Sequence, residues 1–212
     1  MTRQTCRPWN KSDSRYARAA ETHMKILIAA QRVFIDSGYE RTSMDAVARE
    51  AGVSKMTVYR QFKDKNNLFI ACMNDQCWEM LEISQYSSAK DKSDAKDKLT
   101  KYAHLIVDLI TAPDILKLYR MLLGEINHFD GLGESFYFGG PHRAIEIVER
   151  ILYDLVPSER RRFLAQTFFW ACLADTYERV VLGVLDPSAA KPHFANQIAL
   201  ATDLILEGVS GC

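Results

Sequence analysis

Residues 38–69 read GYERTSMDAVAREAGVSKMTVYRQFKDKNNLF, and this stretch decides the fold. Gly38 stops a preceding amphipathic helix as a left-handed C′ residue does. Thr42 opens the next helix, with Asp45 at capping-box spacing; Ala46, Val47 and Ala51 face inward and Gly52 ends it. Ser54 is a natural N-cap for a third short helix that ends near Phe62. Val58 and Phe62, at i and i+4, bury one side of that helix, which leaves Lys55, Thr57, Tyr59, Arg60 and Gln61 on the exposed arc. Two short helices joined by a tight turn and backed by a third make a helix-turn-helix, whose second helix enters a major groove. The exposed arc carries hydrogen-bond donors and an aromatic ring, the chemistry that meets phosphates and base edges. Thr42 and Lys65 stand in the first turns of their helices, where free backbone N–H groups favour a phosphate oxygen.

Outward from this stretch the chain reads as helix almost throughout. Ile26, Ala29, Ala30, Val33 and Phe34 follow the helical template between about Ala19 and Ser37. A longer helix runs from about Lys65 into the low 80s with Leu68, Phe69, Cys72 and Met73. The polar stretch Ser84–Asp97 reads as a linker or loosely tied loop. Further helical spans are 97–111, 114–127, 138–155, 158–184 and 189–208, broken at Pro113, the Gly131–Pro141 cluster, Pro157 and Asp186-Pro187. Strand alternation bounded by hairpin turns is absent, so the expected class is all-α. An N-terminal three-helix helix-turn-helix domain precedes a larger helical domain, with boundaries at 1–17 (a flexible basic arm), 18–66 and 67–212. Arg3, Arg7, Lys11, Arg15 and Arg18 of the arm suit phosphates or a minor groove, or else a solvated tail.

Composition narrows the function. The 212 residues are 48% hydrophobic and 25% charged, ordinary for a globular chain. No apolar run reaches the ~18 residues of a membrane span, and the N-terminus lacks the apolar core of a signal peptide. Five Cys without C-x-x-C encode neither a disulfide framework nor a zinc clip; Cys72 and Cys77 read as reduced packing residues of a cytoplasmic protein. The formal net charge of zero hides an asymmetry, because residues 1–65 hold 13 Lys/Arg against 7 Asp/Glu. A basic end suits a polyanion. The five His show no metal-ligand spacing, and no P-loop, Rossmann glycine fingerprint or G-x-S-x-G occurs. The sequence therefore points to no enzyme, no catalytic residue, no metal and no cofactor. Arg160-Arg161-Arg162 reads as a solvated face with its stems on apolar surface.

The same residues resemble the N-terminal domain of the tetracycline-repressor (TetR) family of transcriptional regulators. The match runs through Gly38, Tyr39, Thr42, Ser43, Val47, Ala48, Ala51, Gly52, Val53, Ser54, Thr57, Val58, Tyr59, Phe62, Lys65 and Leu68. Met56 stands where the family often has Gly, and Asn66-Asn67 replaces a usual Glu. Within the family pattern Tyr59 contacts backbone phosphate, which is favoured over the alternative of a core aromatic. The candidate DNA-contact set is Thr42, Ser43, Ser54, Lys55, Met56, Thr57, Tyr59, Arg60 and Lys65. Residues 124–143 and the last two helices weakly resemble one TetR C-terminal subfamily.

The resemblance implies a homodimer whose last two helices pair with their symmetry mates, a palindromic double-stranded operator, and a small-molecule effector bound inside the C-terminal domain. Binding would release the operator, so the implied role is a repressor. Candidate pocket residues are Trp78, Leu105, Leu109, Tyr119, Leu123, Phe136 and Phe168. Phe163, Phe168, Phe169, Trp170 and Tyr177 suit a pocket, a core or a dimer face. The glycine-rich 131–141 segment, with Phe136, Tyr137 and Phe138, reads as a gate or as a plain loop.

Overall fold

The computed structural model describes the backbone of residues 14–78, 86–128 and 130–210, and the side chains of 18–73, 86–128 and 130–209. All regular structure among these residues is helical: α1 (Ser14–Arg41), α2 (Met44–Glu50), α3 (Lys55–Phe62), α4 (Lys65–Trp78), α5 (Lys92–Ile110), α6 (Pro113–Glu125), α7 (Leu132–Gly139), α8 (Pro141–Ile151), α9 (Ser158–Val181) and α10 (Pro187–Ser210). The chain divides into two compact units, 1–72 and 73–212, so the division falls inside α4. Of the basic arm, residues 1–13 and the side chains of 14–17 lie outside the described residues, as does the Cys77 side chain.

The first unit closes around Ile26, Ala30 and Phe34 of α1, Val47 of α2, Val58 of α3, and Leu68, Phe69 and Cys72 of α4, all buried. Phe34, Tyr39 and Phe69 form an aromatic triangle with ring centroids 5.0–5.8 Å apart. Full burial of each Phe contributes about 1.5–3 kcal/mol. Gly38 breaks the α1 ladder at φ 78°, ψ 167°, an extended positive-φ region essentially restricted to glycine rather than the left-handed helical one. Gly52, at φ 65°, closes α2 in a Schellman motif: Val53 N–H donates to Ala48 O at 3.0 Å and Gly52 N–H to Arg49 O at 3.2 Å.

Two local expectations shift. Ser43, not Thr42, caps α2, accepting from Ala46 N–H at 3.1 Å, so Asp45 is one residue early for a capping box. The missing Glu after Lys65 is offset by Asp64, whose Oδ1 accepts from Asn67 N–H at 2.8 Å at the start of α4.

In the second unit Leu99 and Ile106 (α5), Ile145 and Val148 (α8), Phe168 and Cys172 (α9) and Phe194 and Ile198 (α10) form one buried core. Residues 92–97, expected as linker, are the first turns of α5, with Asp91 as N-cap accepting from Asp94 N–H at 2.9 Å. The 131–141 segment is likewise no open loop, because α7 occupies most of it. A Cβ on Gly140 would stand 3.3 Å from Phe136 O, so glycine permits the close approach between the end of α7 and the start of α8. The three arginines after Pro157 are structural clamps: Arg161 donates to Val156 O and Tyr153 O at 2.9 Å, and Arg162 pairs with Glu149 at 3.1 Å.

Between α3 and α4, Lys63 sits at φ 62°, ψ −53°, and Asp64 N–H donates to Phe62 O at 2.6 Å. This is a γ-turn of positive φ, strained for any residue with a Cβ. In urea denaturation, Lys63→Gly is expected to leave stability unchanged or raise it by up to about 1 kcal/mol, whereas Lys63→Val is expected to cost about 1–3 kcal/mol. Equal effects of the two substitutions would contradict strain at this turn.

Candidate nucleic-acid interface and cavity

α3 is short, so its cap and buried stripe fix its orientation. Ser54 Oγ accepts from Thr57 N–H at 3.1 Å and lies 2.8 Å from Thr57 Oγ1, while Val58 and Phe62 anchor the inner side. His23 of α1 stacks on Phe62 at 4.9 Å and its Nδ1 lies 3.0 Å from Gln61 Oε1, which pins the far end of α3 to α1. The opposite side presents Ser54, Lys55, Met56, Tyr59 and Arg60 to solvent, with Met56 75% exposed and Thr57 half-buried beside its cap. Lys55 Nζ pairs with Asp45 of α2 at 2.7 Å and lies 5.6 Å from the Tyr59 ring centroid. Hydrogen bonding to the Asp45 carboxylate holds the Lys55 ammonium above its ordinary range, so it stays charged. An exposed pair of this kind contributes little net stability, so a phosphate readily replaces the carboxylate.

Arg18 and Thr22 of α1 share a surface depression with Ser54, Thr57, Arg60 and Gln61. Arg49 shares another with Asp45, Val53 and Lys55. Neither Thr22 nor Arg49 was legible as a site residue, because each flanks α3 only after the helices pack. Arg18 was grouped with the arm but stands on α1.

The side chains of Thr42 and Lys65 bond within the chain. Thr42 is 3% exposed, and its hydroxyl donates to Gly38 O at 2.7 Å. Lys65 Nζ donates to Tyr39 O at 2.9 Å and Glu40 O at 3.2 Å and sits 4.3 Å from the Tyr39 ring centroid. Both side chains tie the loop after Gly38. Ser43 stays exposed while it caps α2.

In the second unit a cavity of about 80 Å³ lies among α5, α6, α7, the start of α8 and α9. Leu109, Tyr119 and Phe136, expected there, line it together with Phe169, Trp170 and Tyr177. Phe168, Leu105 and Leu123, also expected there, do not line it. Phe168 is 1% exposed and turns into the core beside a small void with Cys172; Leu105 is half-buried elsewhere, and Leu123 is exposed. The Trp78 side chain lies outside the described residues. Phe168 and Phe169 are successive residues about 100° apart around a helix, so the face each takes is decided by packing alone. Burial pushes the Cys172 thiol up to about 12, so this sulfur is a packing group and not a nucleophile at neutral pH. Among the described residues no group of three His, Cys, Asp or Glu side chains is placed to hold a metal, and no helix is long and apolar enough to cross a membrane.

Residues 26–72 match the description "bacterial regulatory proteins, tetR family", and residues 97–207 match "AefR-like transcriptional repressor, C-terminal domain". The chain belongs to the TetR family of bacterial transcriptional regulators. Among curated relatives it is 31% identical over 127 residues to the fatty acid metabolism regulator protein of Bacillus subtilis (strain 168), a match covering 52% of this chain and 65% of that protein. Among solved structures it resembles a TetR transcriptional regulator from Agrobacterium tumefaciens, at TM-score 0.70 and 19% identity, covering 88% of this chain and 93% of that one. It also resembles the transcriptional regulator FadR from Bacillus subtilis in complex with stearoyl-CoA, at TM-score 0.62 and 18% identity, covering 88% and 98%. Likenesses at that identity establish the fold.

Because Lys65 is engaged with two carbonyls, Lys65→Met is expected to lower stability by about 1–3 kcal/mol in chemical denaturation. The salt dependence of DNA binding is expected to stay the same. A salt slope reduced by about one unit at unchanged stability would assign this ammonium to a phosphate instead.

Proposed function

We propose that the chain is a ligand-responsive, dimeric DNA-binding transcriptional regulator: a repressor that a small molecule releases from a palindromic operator. The observation that carries this reading is the outer side of α3, where Ser54, Lys55, Met56, Tyr59 and Arg60 stand exposed behind a glycine turn. In this reading residues 18–66 are the reading head, 1–17 a basic arm, and 67–212 the effector and dimerisation part. Lys55, Met56, Thr57 and Arg60 meet base edges, while Ser43, Ser54 and Tyr59 meet phosphates. The protein works in the cytoplasm and carries no catalytic step, metal or cofactor.

The dimer reading rests on α9 and α10. Phe163 and Trp170, at i and i+7 on α9, and Leu200 and Leu204, at i and i+4 on α10, are all exposed in the single chain. Apolar stripes at those spacings suit a helix bundle formed with a second copy. Two-fold symmetry then calls for two half-sites spaced by the DNA repeat.

The relative in complex with stearoyl-CoA favours a second effector, a long acyl thioester. The lining of this chain's cavity speaks against it, because among the described residues no basic side chain stands there to meet the phosphates of a coenzyme A.

A mobility-shift titration on the DNA upstream of the protein's own gene tests the reading. Binding is expected to weaken steeply with salt, and Arg60→Ala is expected to lose about 1–3 kcal/mol of operator affinity with relaxed preference at one base position. Binding to that DNA no tighter than to unrelated DNA would overturn it. In light scattering, Leu200→Glu combined with Leu204→Glu is expected to turn dimer into monomer; a wild-type monomer at micromolar concentration would overturn the assembly.

A further inference from the structure

We propose that the cavity of the second unit takes an uncharged aromatic molecule of a single ring, whose polar substituent hydrogen-bonds the Tyr119 hydroxyl. The proposal rests on reading residues 67–212 as the effector part and adds the chemical class of the effector.

The wall sets the charge. Among the described residues the lining holds no charged side chain; its polar side-chain groups are the phenol hydroxyls of Tyr119 and Tyr177 and the indole N–H of Trp170. A carboxylate or phosphate brought there gives up its hydration and finds no counter-ion, and a quaternary ammonium, which the ring faces attract, still gives up its hydration without one.

The rings set the shape. Tyr119 lies 5.4 Å from Phe136 and 5.9 Å from Tyr177, both tilted by 34°, and Phe169 meets Trp170 edge-on at 5.0 Å. Tilted and edge-on walls offer ring faces and edges to an aromatic guest at favourable separations.

Tyr119 supplies the polar anchor. Its hydroxyl makes no hydrogen bond with a described residue, although its ring meets those of Phe136 and Tyr177. Burial pushes its pKa up, so the phenol stays protonated and can both donate and accept.

Size sets the limit. At about 80 Å³ the cavity is smaller than the ~150 Å³ that accommodates benzene in an apolar core, so one ring enters only as a wall side chain yields. Trp170, 51% exposed in the single chain and touching the cavity from α9, is the wall ring that yields, and in the proposed dimer it does so against the second copy. Trp170 also belongs to the exposed stripe of α9, so occupancy of the cavity would be felt on that stripe.

The test titrates the full chain with 4-methylphenol, toluene, benzoate and phenyltrimethylammonium at pH 7, by calorimetry and tryptophan fluorescence. The expected order is 4-methylphenol over toluene, with both ions at least tenfold weaker than toluene. Tyr119→Phe is expected to weaken 4-methylphenol roughly three- to tenfold and to leave toluene within about twofold. Trp170→Phe is expected to bind by calorimetry while losing the fluorescence change. Benzoate or the ammonium binding as well as toluene, or 4-methylphenol binding unaltered by Tyr119→Phe, would overturn the proposal, as would a fluorescence change that survives Trp170→Phe. Operator affinity measured alongside separates the two readings. 4-Methylphenol that binds without changing operator affinity leaves the cavity assignment standing and overturns ligand release. Operator release by stearoyl-CoA with no aromatic compound bound does the reverse.

Discussion

The ammonium of Lys65 holds the first unit in register. It grips Tyr39 O and Glu40 O across about 25 residues of chain and lies over the Tyr39 ring. Everything between those points, namely α2, the Gly52 turn and α3, is a loop whose two ends this contact ties together. Loop closure costs entropy that short helices alone do not recover, since seven- and eight-residue helices are marginal in isolation. The contact is made possible by Gly38, whose positive φ turns the chain so that two carbonyls face α4. The Thr42 hydroxyl satisfies the Gly38 carbonyl, and the Phe34–Tyr39–Phe69 triangle packs beneath. The outer side of α3 is free for a ligand because these inner bonds already hold the helix.

α4 starts at this clamp and runs on past Cys72, where the first unit ends. A ligand in the second unit alters operator affinity only if it favours one arrangement of the reading heads over another; equal affinity for both shifts nothing. α9 is a suitable element for such a difference, because Phe169, Trp170 and Tyr177 line the cavity while Phe163 and Trp170 lie on its exposed stripe. Its backbone is also irregular at Ala174, at φ 36° and ψ −143°, between two of the lining residues, Leu173 and Tyr177. Arg120 of α6 satisfies the carbonyls of Val180 and Val181 at the end of the same helix at 2.8 Å.

Legibility followed the range of the interactions. Gly38, Gly52 and the Ser54 cap were readable because turn and cap chemistry depends on neighbouring residues. The cap of α2 was misplaced by one residue because Thr42 and Ser43 are both competent, and the burial of Thr42 that decides between them is tertiary. The bonds of Lys65 were not legible because its partners lie some 25 residues upstream and are carbonyls, which no side-chain pattern betrays. The start of α5 was hidden by its polarity, although Asp91 and Asp94 stand at N-cap spacing and would have revealed it. α7 was hidden by Gly131, Gly133, Gly139 and Gly140, which read as loop until Leu132 is seen buried. Of the cavity, the helices other than α7 were foreseeable, but which of two adjacent phenylalanines faces it was not.

A hydroxyl-radical footprint of the full chain on the DNA upstream of its own gene tests the central claim most directly. Two protected patches related by a two-fold axis are expected, with centres one helical turn or a whole multiple of it apart, and Arg60→Ala is expected to move both to higher protein concentration. A single asymmetric patch, or protection at an unchanged protein concentration after that substitution, would contradict it.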